Sequence, residues 1–587
     1  MLGFIKNVFA SAIGFFIGML LIVFFFAAVI GSIAGSVEKT PDVKENTILE
    51  LKLNGEIADR SAEDPLTEIG LADESLSPVG LNAILYGMDK AAKDKNIKGI
   101  LLRTDLYAGS MGTAEEIRDK IIQFRKSGKF AIAYGEIMTD AGYYIATACD
   151  KIYLNPKGIL EFNGFAGQTA LYKGMFDKIG LEFEVFKAGK YKSAVEPFIQ
   201  DKISDANREQ IKQYVFELFG YCMRNIAIAR RSDSASIADI ANTFKARNAK
   251  AAKQYNLVDA LTYEDELEEQ LKTLVGAKKG AKLNLMSFGK YAKNSWIQGE
   301  GKQKIALIYA EGDINMGKNE SGDGIGSESM AATIKKARLD TNIKAIVLRV
   351  NSPGGSSHAS DIIAREIELT KKVKPVIASF GGVSASGGYY IACMADSIFA
   401  QPTSITGSIG VFALLPNTAK MYKEKMGLSY ETVPTGEFAV TWRPDQPLSA
   451  GMRQYFQEMV NDIYGDFIGI VAKGRKMDTS MVRNLAEGHV YTGIHAKQIG
   501  LIDGFGGMQR AISSAAAKAR LKQYRIVSMP VQKSAIERLF GPQTETKVKE
   551  RWMKEEMGIL FEGYQQAKSA LTSQGVYMRM PFNLSIQ

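Results

Sequence analysis

Three short stretches of this 587-residue chain hold residue types that could do chemistry on a carbonyl group. The first is Ser384-Ala385-Ser386-Gly387-Gly388-Tyr389-Tyr390-Ile391-Ala392. An apolar run from Pro375 to Phe380 reads as a buried strand before it, and Tyr389 to Ala395 reads as a short helix after it. A serine at such a corner, flanked by glycines, is accessible and sits in the positive field of a helix N-terminus. It suits a nucleophile, and it equally suits a plain N-cap. The second stretch, Asn351-Ser352-Pro353-Gly354-Gly355-Ser356, follows another apolar strand. A glycine pair there lets backbone N–H groups approach a ligand, as an oxyanion site worth roughly 3–4 kcal/mol requires, or else makes a simple turn.

The third stretch, Gly189-Lys190-Tyr191-Lys192-Ser193-Ala194-Val195-Glu196-Pro197, offers a base. His358 is the histidine nearest the serine in sequence, yet no acid forms a relay with it. A lysine can serve if it is neutral. Lowering its pKa from about 10.4 to about 7 disfavours the charged form by about 4 kcal/mol, which burial among Tyr191, Ala194 and Val195 could supply. Lys192 can also be read as an ordinary surface lysine, and Lys187 and Lys190 compete with it locally.

The elements that must hold these stretches come in two copies. Ile97 to Arg103 resembles Ile343 to Arg349, and Gly142-Tyr143-Tyr144-Ile145-Ala146 matches Gly388-Tyr389-Tyr390-Ile391-Ala392, each pair 246 residues apart. Thr47 to Ile57 has the form of Ile305 to Ile314, and Leu257-Val258-Asp259 answers Leu501-Ile502-Asp503. The chain therefore reads as a diverged tandem repeat. Each copy alternates apolar strands with amphipathic helices, Ala359, Ile362, Ile363 and Ile367 marking the buried face of one crossover helix. That pattern predicts an α/β fold with parallel sheets covered by helices.

The copies differ where the chemistry lies. Asp140 stands at the place of Ser386, and Asp105-Leu106-Tyr107-Ala108-Gly109-Ser110 replaces the glycine-pair segment. In the other direction, a strand at Tyr430–Val433 matches one at Phe183–Phe186, and Ala439 stands at the place of Lys192. One copy keeps the serine and the glycines and the other keeps the lysine, which suggests a single composite site.

Composition sets the remaining bounds. The net charge is +9, from 73 basic and 64 acidic residues interleaved along the chain, so no nucleic-acid patch is expected. Three cysteines (Cys149, Cys222, Cys393) give no disulfide framework, and three histidines give no metal site. No charge interrupts Val8 to Val37. This run exceeds the roughly 20 residues a membrane helix needs and the about 7–15 of a cleavable signal core, so an uncleaved anchor is expected. Lys6 before it places the N-terminus in the cytoplasm and the bulk of the chain across the membrane. The expected division is 1–45 cytoplasmic N-terminus and anchor, 46–275 first repeat, 276–303 linker, 304–540 second repeat and 541–587 a charged helical tail. The glycine-rich Met316–Ser329 reads as a loop.

Three motifs carry a resemblance: Asn351 to Gly355, Ser384 to Tyr389, and Tyr191-Lys192-Ser193-Ala194-Val195-Glu196-Pro197-Phe198. With the anchor and both copies, the chain resembles bacterial signal peptide peptidase A (protease IV) in its long, tandem-repeat form. The resemblance implies two crotonase-like (Clp-protease-like) domains after one transmembrane helix, and a Ser/Lys dyad protease. Ser386 would be the nucleophile and Lys192 the general base. Gly355 and Gly387 would give the oxyanion N–H groups, with Gly354 the weaker choice, and Ser408 in Thr406-Gly407-Ser408 would orient the lysine. It implies no cofactor, peptide substrates that are cleaved signal peptides, and a homo-oligomer (a tetramer) at the bacterial inner membrane with its catalytic domains on the periplasmic side. The rival readings are a crotonase-type acyl-CoA enzyme and an inactive membrane-tethered scaffold.

Overall fold

A computed structural model describes residues 42–61, 79–278, 280–293, 301–318, 324–440, 442–532 and 576–580, with part of an N-terminal helix and a few positions between 553 and 564. The expected anchor falls in large part outside these residues. Residues 13–22 and Phe24 are helical, with Phe15, Phe16, Leu20 and Phe24 exposed. Among the described residues no helix is long and apolar enough to cross a membrane.

The first repeat contributes β1 (Thr47–Lys52), β2 (Ile97–Arg103), β3 (Phe130–Met138), β4 (Lys151–Leu160), β5 (Glu182–Ala188), β6 (Ala260–Leu261) and β7 (Leu285–Ser287). All but β5 form one parallel sheet in the order β6-β4-β3-β2-β1-β7. The linker is thus not a bare connection, since β7 and the helix Phe288–Ala292 complete the first repeat.

The second repeat begins with β8 (Lys304–Glu311), β9 (Ile314–Asn315), β10 (Ile325–Gly326), β11 (Ile343–Ser352), β12 (Gly354–Ser356) and β13 (Val376–Ala385). It continues with β14 (Ser397–Ala400), β15 (Ile405–Gly407), β16 (Val411–Asn417), β17 (Val490–Thr492), β18 (Gly504–Phe505), β19 (Arg525–Met529) and β20 (Val576–Arg579). The parallel succession β19-β8-β11-β13-β14-β18 repeats β7-β1-β2-β3-β4-β6 step for step. Duplication is therefore visible in topology as well as in sequence. Strands such as β11 (IKAIVLRVNS) are apolar almost throughout because helices cover both faces of the sheet. The crossover helix Ser357–Lys371 buries Ala359, Ile363, Ala364 and Ile367, while Ile362 lies half-buried at the edge of that face. All three cysteines are buried and free.

A third sheet belongs to neither repeat alone. Its order is β10-β9-β12-β20-β16-β5, and β5 of the first repeat pairs antiparallel with β16 of the second along its whole length, from Val411↔Ala188 to Asn417↔Glu182. The counterpart of β5, residues 430–433, forms no strand, and Tyr430 and Val433 face solvent. The sequence similarity was real, but a strand needs a partner edge and this segment has none here.

A buried ion cluster ties the repeats together. Arg349 on β11 is fully buried and donates to Asp59 of the first repeat at 2.9 and 2.7 Å. It also pairs with Glu116 at 2.6 Å and donates to the Phe380 carbonyl at 3.0 Å. Burial raises the Glu116 pKa against the pull of that guanidinium.

Candidate active site

Strand β13 runs out at Ala385, and Ser386 turns the chain with φ 55° and ψ −117° into the helix Gly387–Ala392. A non-glycine residue in that region costs about 1–3 kcal/mol, which the surrounding packing must offset. Here the Ser386 N–H is held by the Gly407 carbonyl at 2.8 Å. Ser386 occupies the N-cap position, yet its hydroxyl makes no capping bond. In the first repeat Thr139 caps instead, accepting from the Gly142 N–H at 3.2 Å, and Asp140 is buried behind it with its pKa pushed up to about 7 by burial. The bland reading of Ser386 thus fails where the analogous corner shows what a real cap looks like.

The Ser386 hydroxyl meets a lysine from the other repeat. β5 delivers the chain past Gly189 into a turn that carries Lys192, fully buried, with Nζ 2.8 Å from Ser386 Oγ. The same nitrogen lies 3.1 Å from Ser408 Oγ and 3.1 Å from the Ser408 carbonyl oxygen. Among the described residues no carboxylate is within ion-pair distance of it. Burial alone therefore acts on the amine and holds its pKa well below the usual lysine range. A neutral amine has two N–H donors and one lone pair. Donating to the two Ser408 oxygens leaves the lone pair for the Ser386 proton. Ser408 is itself fixed at φ 49° just after β15, with its N–H donating to the His489 carbonyl at 2.6 Å.

Several residues that hold this arrangement carried no readable signal in the sequence. The Gln210 amide nitrogen donates to the Tyr191 carbonyl and to Ser193 Oγ, both at 3.0 Å, while its oxygen accepts from the Val490 N–H at 3.3 Å. One side chain thus clamps the lysine turn to the second repeat. Gly488, at φ 75°, lets the turn come close: a Cβ there would lie 2.6 Å from the Lys192 nitrogen. Its only trace in the sequence is an unremarkable Glu-Gly-His turn.

The other expected residues fall as follows. Gly354 (φ 103°) brings β12 against the backbone of Gly387, where a Cβ on Gly354 would lie 2.7 Å from the Gly387 nitrogen. Gly355 pairs with Ile314 on one side. Gly387 follows Ser386 directly in the chain, and of the glycine pair it is Gly354 that lies against it. His358 is exposed on the crossover helix and joins nothing at the site. Lys187 and Lys190 are exposed, the latter lying over the Tyr191 ring. Among the described residues no group of His, Cys, Asp and Glu could hold a metal ion.

The arrangement can move a proton from a hydroxyl to a desolvated amine beside backbone N–H groups, as acyl transfer requires. Comparisons with known proteins point the same way. The sequence profile of peptidase family S49 matches this chain twice, at residues 123–278 and 368–522. Protease 4 of Salmonella typhi is 34% identical over 469 residues, 78% of this chain and 75% of that one. Protease 4 of Haemophilus influenzae is 32% identical over 517 residues, covering 85% and 83%. The chloroplastic serine protease SPPA of Arabidopsis thaliana is 32% identical over 494 residues, covering 83% and 71%.

Proposed function

Because the chain belongs to peptidase family S49, we propose that it is a serine endopeptidase working through a Ser386–Lys192 dyad. The observation that carries this reading is the buried Lys192 amine 2.8 Å from Ser386 Oγ, with no carboxylate partner among the described residues. Lys192 takes the Ser386 proton as the hydroxyl attacks a peptide carbonyl. The resulting oxyanion is met by the Gly355 and Gly387 N–H groups, and the collapse gives an acyl-enzyme. The protonated amine passes its proton to the leaving nitrogen, then accepts one from the water that releases the acyl group. Ser408 orients the amine throughout.

Both repeats take the Clp-protease-like form of the crotonase fold in this reading. The apolar run Val8–Val37 anchors the chain in the bacterial inner membrane, with the repeats on the periplasmic side. Signal peptides left in that membrane are the substrates. The chain assembles as a homotetramer. The exposed apolar side chains of Leu428, Tyr430, Val433 and Phe438 support assembly, since a patch of this kind calls for a cover.

Labelling by a serine-directed fluorophosphonate tests the dyad. Wild type should label at one site, and Ser386→Ala and Lys192→Ala should not, while both variants keep the wild-type circular dichroism and oligomer size. Undiminished labelling of a folded Ser386→Ala variant would refute the assignment.

A further inference from the structure

The two repeats also meet along a seam that carries none of the dyad residues, and a cleft of about 580 Å³ opens there. Tyr86 and Asp89, on the helix Leu81–Lys93, form one wall. Gln509 and Ile512 on the helix Met508–Lys518, with Tyr524 just before β19 and Ile526 on it, form the other. A volume of that size is usual for a small-molecule site, roughly 300–1,000 Å³.

One wall group stands out. Tyr86 is only 4% exposed, and its hydroxyl has no hydrogen-bond partner among the described residues. Buried polar atoms are nearly always paired, so an orphan on the wall of a cleft points to something the cleft receives. Burial raises the Tyr86 pKa, and Tyr309, Tyr524 and Asp89 add to the effect, so the phenol stays neutral. Two of those three neighbours line the cleft themselves, which puts the hydroxyl on the cleft's side of the ring.

The remaining polar groups both donate and accept. Lys120, buried beside the cleft, donates to Asp89 Oδ1, to Gln123 Oε1 at 3.0 Å and to Gln509 Oε1 at 2.9 Å. Its three N–H groups are then spent, so it fixes its neighbours and offers no free charge to a ligand. Gln509 Nε2 donates to Asp89 Oδ2 at 2.6 Å. With their oxygens engaged, Gln123 and Gln509 still hold N–H donors, and each Asp89 oxygen still holds an acceptor position. An anion would face the Asp89 lone pairs, and a cation would face the amide N–H groups and the exposed Lys522. Hydroxyl groups satisfy both kinds of partner. Tyr86, Tyr524, Ile512 and Ile526 supply apolar surface for the C–H face of a ring.

We propose that this cleft binds a neutral, hydroxyl-rich molecule of mono- or disaccharide size, held by Tyr86, Asp89, Gln123 and Gln509. Nothing in the site draws on Ser386 or Lys192. Because its walls come from both repeats, an occupant touches each of them and stabilises the assembled chain by mass action.

Isothermal titration calorimetry of the full chain with glucose and with maltose tests the site, in a detergent that has no sugar headgroup. Sodium octanoate serves as the apolar anion for comparison. At least one of the sugars should bind saturably, at one site per chain, and raise Tm, while octanoate should do neither. Tyr86→Phe removes a single hydroxyl and should weaken the sugar roughly tenfold, the worth of about one hydrogen bond. Ser513→Trp fills the cleft from an exposed position and should abolish binding, with circular dichroism and Ser386 labelling as in wild type. Absence of saturable sugar binding, or sugar binding that survives both substitutions, would overturn the proposal. Octanoate binding that Ser513→Trp abolishes, with no sugar bound, would overturn the ligand class.

Discussion

In the proposed dyad Lys192 works only as an uncharged amine, and burial is what pulls its pKa down. Its pH behaviour follows directly. Activity is low while the amine is protonated, rises as pH passes through its lowered pKa, and levels off well before the pH at which a solvent-exposed lysine would titrate. A profile of kcat/KM against pH on a short peptide checks this, and a limb still rising through pH 10 would contradict it. Lys192→Arg keeps a long cation but cannot lose its proton, so we expect at least a roughly 10³-fold fall in kcat. At this scale the sequence was unusually informative. Comparing two diverged copies singled out Ser386 and Lys192 as a complementary pair. The strand-to-helix corner is where Ser386 stands, although the accessibility expected of it is not seen, since its side chain is fully buried. The role proposed for Ser408 rests on resemblance, because the left-handed backbone that fixes this residue is not disclosed by residue type.

At the scale of elements, the decisive feature is β5 leaving its own repeat to pair with β16. Periodicity showed that β5 is a strand and could not show whose sheet it joins, since pairing is settled by edges brought together over more than 200 residues of chain. The same limit hid the tail. Four extended residues at the end of a charged stretch carry too little pattern to separate from loop, and only the open gap between β12 and β16 gives them a conformation. The lysine turn at the end of β5 depends on Gly488. Gly488→Ala meets both a positive φ and a Cβ contact with the lysine backbone, so the turn must shift. We expect kcat to fall about 10- to 100-fold, since displacement by an ångström can cost 10²-fold, with Tm little changed. An unaltered kcat would show that the turn is not held from this side.

Across the whole molecule, two tight couplings join the repeats: the composite third sheet and the Arg349 cluster. Arg349→Met leaves Asp59 and Glu116 as buried carboxylates without their cation. Such a break costs about 3–5 kcal/mol, so urea unfolding should shift to a markedly lower midpoint. A midpoint within error of wild type would mean water already reaches the cluster. The proposed assembly would use a different surface. Val433, 94% exposed, belongs to the segment that matches β5, and β5 is seated on another repeat's edge. Val433→Asp should therefore lower the oligomer mass seen by sedimentation without unfolding the protomer. Retention of the full mass would place the interface elsewhere.

The separation of Lys192 from Ser386 by 194 positions also has a meaning in time. A ribosome makes the amine long before it makes the hydroxyl, and a half-finished chain has the one without the other. Through most of its synthesis the newborn polypeptide is chemically harmless to its neighbours.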